Sequence, residues 1–174
     1  MRLIRLMLAI ATIAIATGAA RAQDDIALDL PACYERVYDA RHLADHPAQH
    51  VQSMRIRFFR YPGAHTVAAV MNLRFREGSR RYREPAATYV AAFICNREGN
   101  GVMCGVPCDG GRVALRFTGR TAAEITLDAS EGFAMSASCP DEEHVERFNP
   151  RPDDRVFLLR RIAASCTVRD DPGR

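Results

Sequence analysis

Lysine is absent from this chain, and all 24 basic residues are arginines. An arginine-only surface reflects either selection for bidentate contacts with carboxylates or phosphates, or a base-composition bias in the gene. The chain also lacks a Gly-x-Ser-x-Gly elbow, a His-Glu-x-x-His motif, a phosphate-binding glycine loop and a Cys-x-x-Cys redox pair. The sequence therefore favours a non-catalytic protein. An enzyme of unknown class stays open as an alternative, because catalytic groups converge in space rather than along the chain.

No apolar run reaches the roughly 20 residues that a membrane-spanning helix needs. The first 22 residues instead resemble an export signal, with Arg2 and Arg5 ahead of the apolar run Leu6–Thr17 and a small-x-small site at Ala20–Ala22. We therefore predict a signal peptide over residues 1–22, a single domain over residues 23–174, and a periplasmic or secreted location. We predict no transmembrane segment after cleavage.

Removal of that signal changes the charge balance. The whole chain has 24 basic and 21 acidic residues, and the signal contains three arginines and no acid, so the remainder has 24 − 3 = 21 of each. A formally neutral domain gives no support to nucleic-acid binding. The partner we expect is a protein or an envelope component, and the sequence leaves the oligomeric state open.

Six cysteines follow the predicted signal, and an even set in an exported chain indicates disulfides. A hairpin turn centred between Gly99 and Asn100 places Cys95 opposite Cys104. Cys33 and Cys166 would join the two ends of the domain, and Cys108 with Cys139 completes the set. The rival interpretation is a metal site, although the Cys104-x-x-x-Cys108 spacing meets the zinc pattern only in part.

The fold class expected is mainly β, with one or two short N-terminal helices. Asp39 is suited to cap a helix that ends near Asp45, and a helical turn is expected from about Pro31 to Val37. Beyond these, period-two alternation and turn residues predict eight strands. They are Met54–Phe59, Val67–Phe75, Ala87–Asn96, Val102–Val106, Arg112–Thr118, Glu124–Asp128, Phe133–Ser138 and Arg155–Ile162. A meander of this kind hides its edges as a barrel or, less completely, as a sandwich.

A first candidate site lies on the predicted short helix. Asp39, His42 and His46 are spaced three and four residues apart, so they share one helix face. Carboxylate and imidazole together suit zinc or copper, so a metal-binding or carrier protein is an alternative function. The competing interpretation is a solvated helix surface. Apart from this alternative, we expect no cofactor.

The leading candidate site is an arginine-rich hairpin. Strand alternation places its arginines opposite the apolar face, where guanidinium groups can bind an acidic partner. The alternative is the ordinary charged face of a soluble sheet. The residues predicted to bind the partner are Arg55, Arg57, Arg74, Arg76, Arg81 and Tyr82.

Overall fold

The computed structural model describes residues 29–79, 82, 87–118, 124–136, 139, 145–162 and 166. The predicted signal peptide and Arg81 lie outside them. The strands are β1 (Ala32–Val37), β2 (Val51–Phe59), β3 (Val67–Phe75), β4 (Thr88–Glu98), β5 (Gly101–Gly105), β6 (Arg112–Thr118), β7 (Glu124–Asp128), β8 (Phe133–Ala134), β9 (Arg147–Phe148) and β10 (Val156–Arg161). Helix α1 spans Ala40–Asp45, and a 3₁₀ turn spans Pro152–Asp154. Within the described residues, no helix has the length and apolar character needed to cross a bilayer.

Eight antiparallel strands form a closed barrel in the order β1-β10-β7-β6-β5-β4-β3-β2. Strands β2 to β7 form a meander, in which each strand pairs with the next one along the chain. Their apolar residues recur at every second position, which gives each strand one buried face. Met54, Ile56 and Phe58 all point inward with 0% exposure, as the alternation predicts. Closure pairs β10 with both β7 and β1, so the predicted mainly β fold is confirmed and its form is a barrel.

The helical turn predicted near Pro31 is wrong, because this segment is strand β1. Its inward residues are Ala32, Tyr34 and Arg36, and Arg36 faces the fully buried Met54 across the β1–β2 pair. A cation at an inward position breaks the apolar alternation that marks the other strands. By contrast, the predicted capped helix is confirmed as α1, where the Asp39 side chain accepts a hydrogen bond from the His42 amide at 2.7 Å.

The predicted strand Phe133–Ser138 is also wrong as a barrel strand. Of its described residues, 133–136, only Phe133 and Ala134 have strand structure, and they pair with β9 in a separate two-stranded ribbon, while residues 137 and 138 lie outside the described residues. The ribbon inserts Phe133 and Phe148 into the barrel, with ring centroids 5.4 Å from Phe93 and 6.4 Å from Phe157, respectively. These buried rings contribute to an interior packed with side chains.

Three disulfides are present, and they are the pairs that the sequence indicates: Cys33–Cys166, Cys95–Cys104 and Cys108–Cys139. Cys95 and Cys104 face each other across the β4–β5 hairpin. Gly99 begins the two-residue turn with φ of +56°, which glycine adopts at no steric cost. Cys33 lies on β1 and Cys166 follows β10, so their bond joins the two strands that close the barrel.

Candidate functional site

The polar atoms of the predicted metal site on α1 contact other atoms of the protein. Asp39 caps α1, and His42 Nε2 lies 3.0 Å from Gln49 Oε1. His46 Nδ1 lies 2.9 Å from the carbonyl oxygen of His42, and the two imidazole rings stack with centroids 4.1 Å apart. Across the described ranges, no group of three or more His, Cys, Asp or Glu side chains is arranged to hold a metal ion.

The predicted arginine-rich site divides into residues with different roles. Arg76 donates to the carbonyl oxygens of Pro47 at 2.6 Å and Leu43 at 3.3 Å, so it holds α1 and the following loop against the barrel. Tyr82 is only 4% exposed and stacks on Phe75 with centroids 3.6 Å apart. Tyr82 is therefore part of the core.

Arg55 and Arg57 lie on the outer face of β2, as predicted, but both contact neighbouring side chains. Arg55 donates from Nε to Glu35 Oε1 at 2.9 Å, and a second guanidinium nitrogen contacts the same oxygen. The Arg57 guanidinium lies 5.3 Å from the ring centroid of Phe59, within cation–π distance. Arg74, in contrast, is exposed and has no hydrogen-bond or ion-pair partner among the described residues.

A row of alternating charges explains why Arg55 is neutralised. Arg160 donates to Glu124 at 2.9 Å, and the β1–β10 register places Arg160 opposite Glu35. Glu35 in turn accepts from Arg55, so acid and base alternate across β7, β10, β1 and β2. The next position in this row is Asn72 on β3, which carries no charge.

Arg74 belongs to the adjacent row, which has no acid. The strand register places Ser53 of β2 on one side of Arg74 and Thr88 of β4 on the other. Facing side chains on neighbouring strands lie about 5 Å apart, so both hydroxyls are next to the arginine stem. Val37 of β1 lies opposite Ser53 and is the last residue of this row on the β1 side.

These two rows line a groove of about 420 Å³ on the outside of the barrel. A β-bulge between Val51 and Ser53 inserts Gln52 into β2, so that Gln52 and Ser53 both reach the groove. We call this site the outer groove. Its charged and hydrogen-bonding residues are Glu35, Gln52, Ser53, Arg55, Asn72, Arg74 and Thr88.

Asn72 gives the outer groove an unused acceptor. Its Oδ1 atom is buried and has no hydrogen-bond partner in the described part of the chain. A buried polar atom without a partner costs about 1–3 kcal/mol. The outer groove thus combines an unpaired guanidinium and an unpaired acceptor two residues apart on β3.

A second polar cluster lies beside α1. Asp154 is 1% exposed and accepts backbone hydrogen bonds from His50 at 2.7 Å and Val51 at 3.1 Å. Burial raises the pKa of Asp154, while the two backbone donors oppose that shift. The Asp154 carboxylate therefore fixes the chain between α1 and β2.

The same cluster contains a hydrogen bond between His50 Nδ1 and Ser79 Oγ, at 2.8 Å. Ser79 is only 3% exposed, so a substrate could not reach its hydroxyl without local opening. Asp154 contacts the backbone amide of His50, whereas in a catalytic triad the carboxylate accepts from the imidazole. The contacts therefore describe a structural network that joins α1 and the turn after β3.

No protein-family model, curated protein or solved structure matches this chain. The function is therefore inferred from the chemistry of the outer groove. Sequence alternation indicated Arg55 and Arg74 correctly as outward residues. It missed Glu35 because β1 was not predicted, and it missed Gln52 because a bulge has no period-two pattern.

Proposed function

We propose that this protein is an exported, non-catalytic binding module that holds an anionic group of a protein or envelope component in the outer groove. The observation that carries the proposal is Arg74, an exposed guanidinium without a described partner inside a concave polar surface. A guanidinium presents a planar set of donors that matches a carboxylate or phosphate, and such charge-assisted hydrogen bonds are among the strongest in proteins.

Exposure alone does not select Arg74, because other strand arginines are exposed too. Arg116 on β6 is one example. The surroundings distinguish Arg74, since the outer groove adds hydroxyl groups at Ser53 and Thr88 and the unpaired Asn72 oxygen. The paired charges of Glu35 and Arg55 leave one unneutralised cation in the groove, which favours a singly charged anionic group over a polyanion.

Export is part of the proposal. It is supported by the predicted signal peptide together with three disulfides, which form and persist in oxidising compartments. The disulfides also give the barrel a rigid frame, so the outer groove can be formed before a ligand arrives. A preformed groove lowers the entropy cost of binding.

Photo-crosslinking in the protein's own compartment tests the proposal. A photoreactive amino acid at Ser53 lies inside the outer groove, and the same amino acid at Ala114 lies on the outer face of β6 as a matched control. We expect a discrete adduct from the Ser53 position and none of the same mass from Ala114. Equal adducts from both positions, or none from Ser53, would contradict a binding role for the groove.

A further inference from the structure

Exposed apolar side chains cluster beside the outer groove. Five large hydrophobic residues of the described chain are exposed, and three of them are Val37 (61%), Val156 (56%) and Leu158 (41%). Val37 ends β1, and the other two lie on the outer face of β10. Exposed apolar side chains grouped on one face are typical of protein interaction sites.

The strand register joins this apolar cluster to the groove. Glu35 faces Arg160 in the last pair of the β1–β10 ladder, and Val37 and Leu158 each lie two residues beyond that pair on the outer face of their strand. Val37 also lines the outer groove, in the row that leads through Ser53 to Arg74. Strands lie about 4.8 Å apart, so Arg74 is roughly 10 Å from Val37, which lies two strands away.

From this arrangement we infer the partner class, and the inference rests on the proposed function. We propose that the outer groove binds an extended segment of a partner protein that carries a carboxylate side chain and an aliphatic side chain four residues apart. In an extended chain, residues four apart point to the same side and lie about 13 Å from each other. The carboxylate binds Arg74, and the aliphatic side chain covers Val37 and Leu158.

Each feature of the surface favours a protein segment over other anionic ligands. A saccharide has no aliphatic side chain to cover Val37, Val156 and Leu158. Nucleic acid binds through several phosphate contacts, whereas Arg55 and Arg160 are already paired with acids.

The test uses a blocked peptide of sequence Ser-Glu-Ser-Thr-Ser-Leu-Ser, titrated into the isotope-labelled oxidised protein and followed by NMR. Two control peptides replace the glutamate with glutamine or the leucine with serine. We expect the side-chain signals of Arg74 and Asn72 to shift, and each control peptide to bind about tenfold more weakly or worse. Arg74→Gln should abolish the preference for glutamate over glutamine, whereas Arg116→Gln, which removes the same charge from β6, should preserve it.

Three results would overturn the inference: no binding at millimolar peptide, equal binding of the three peptides, or equal effects of Arg74→Gln and Arg116→Gln. Failure here can be told apart from failure of the proposed function. A Ser53 adduct without peptide selectivity would keep the groove as a binding site and reject this partner class. Absence of both would reject the groove itself.

Discussion

Removal of the Cys33–Cys166 disulfide should open the barrel at one defined seam. Strands β1 and β10 close the barrel, yet their register contains only two residue pairs, Tyr34–Arg161 and Glu35–Arg160. By comparison, β10 and β7 share five pairs. Because Cys33 lies on β1 and Cys166 follows β10, this disulfide reinforces the shortest pairing in the barrel.

The magnitude follows from the length of chain that each disulfide closes. Cys33 and Cys166 are 133 residues apart, and the chain-entropy relation gives about 5 kcal/mol of stabilisation for such a loop. Cys108 and Cys139 are 31 residues apart and are both exposed, so their bond serves as the control, with about 3.7 kcal/mol from the same relation. A domain is stable by about 5–15 kcal/mol in total, so either loss is measurable.

The assay compares two double variants, Cys33→Ala/Cys166→Ala and Cys108→Ala/Cys139→Ala, by urea unfolding without reductant. We expect the first to lose about 1 kcal/mol more free energy of unfolding than the second. Hydrogen exchange should also show faster exchange of β1 and β10 amides in the first variant only. An equal or smaller loss in the first variant, with β1 amides still protected, would refute the role assigned to this bond.

Three further changes have defined outcomes. Glu35→Gln releases Arg55 from its ion pair. Because the pair is partly exposed, the free energy of unfolding should fall by less than about 1 kcal/mol. The Ser53 adduct should become more abundant at low salt and more sensitive to added salt. Burial raises the pKa of Asp154 in the folded protein. As pH rises from below 3.8 through that raised pKa, the urea midpoint of wild type should therefore fall relative to the midpoint of Asp154→Asn. A rise of the wild-type midpoint relative to Asp154→Asn over the same pH range would contradict the burial effect. Arg76→Gln removes two hydrogen bonds to carbonyl oxygens, so exchange of α1 amides should accelerate while peptide binding in the outer groove stays unchanged.

Most of the barrel could be predicted from sequence because its strands bury one face and expose the other. Val113 and Leu115, each 1% exposed, show the alternation directly. Strand β1 was missed because Arg36 occupies an inward position, where its guanidinium lies 4.7 Å from the Tyr38 ring centroid. Local pattern alone cannot reveal that a cation will be accepted at an inward strand position beside an aromatic ring.

The separate β8–β9 ribbon was missed for a related reason. Phe133 is buried in the barrel interior, and its apolar spacing with Met135 is the same as that of a barrel strand. What differs is its partner, Phe148, which lies in a short segment without strand periodicity. Pairing between distant segments is set by tertiary packing, so period-two alternation cannot assign it.

The outer groove could be predicted only in part. Alternation indicates that Arg55 and Arg74 point outward, but it cannot distinguish an arginine paired with Glu35 from an unpaired one. That distinction depends on strand order, which places β1 beside β2 and leaves β3 without an acid in the same row. The chemistry of the site thus follows from the register between strands.

The most direct measurement is the yield of the Ser53 photo-adduct in the Arg74→Gln variant, set against the Arg116→Gln variant in the same cells. Loss of a charge-assisted contact of about 1.5–3 kcal/mol corresponds to roughly a 10- to 100-fold fall in affinity. We expect the adduct to fall steeply for Arg74→Gln and to remain at the wild-type level for Arg116→Gln. Equal yields from the two variants would contradict the claim that the unpaired guanidinium in the outer groove binds the partner.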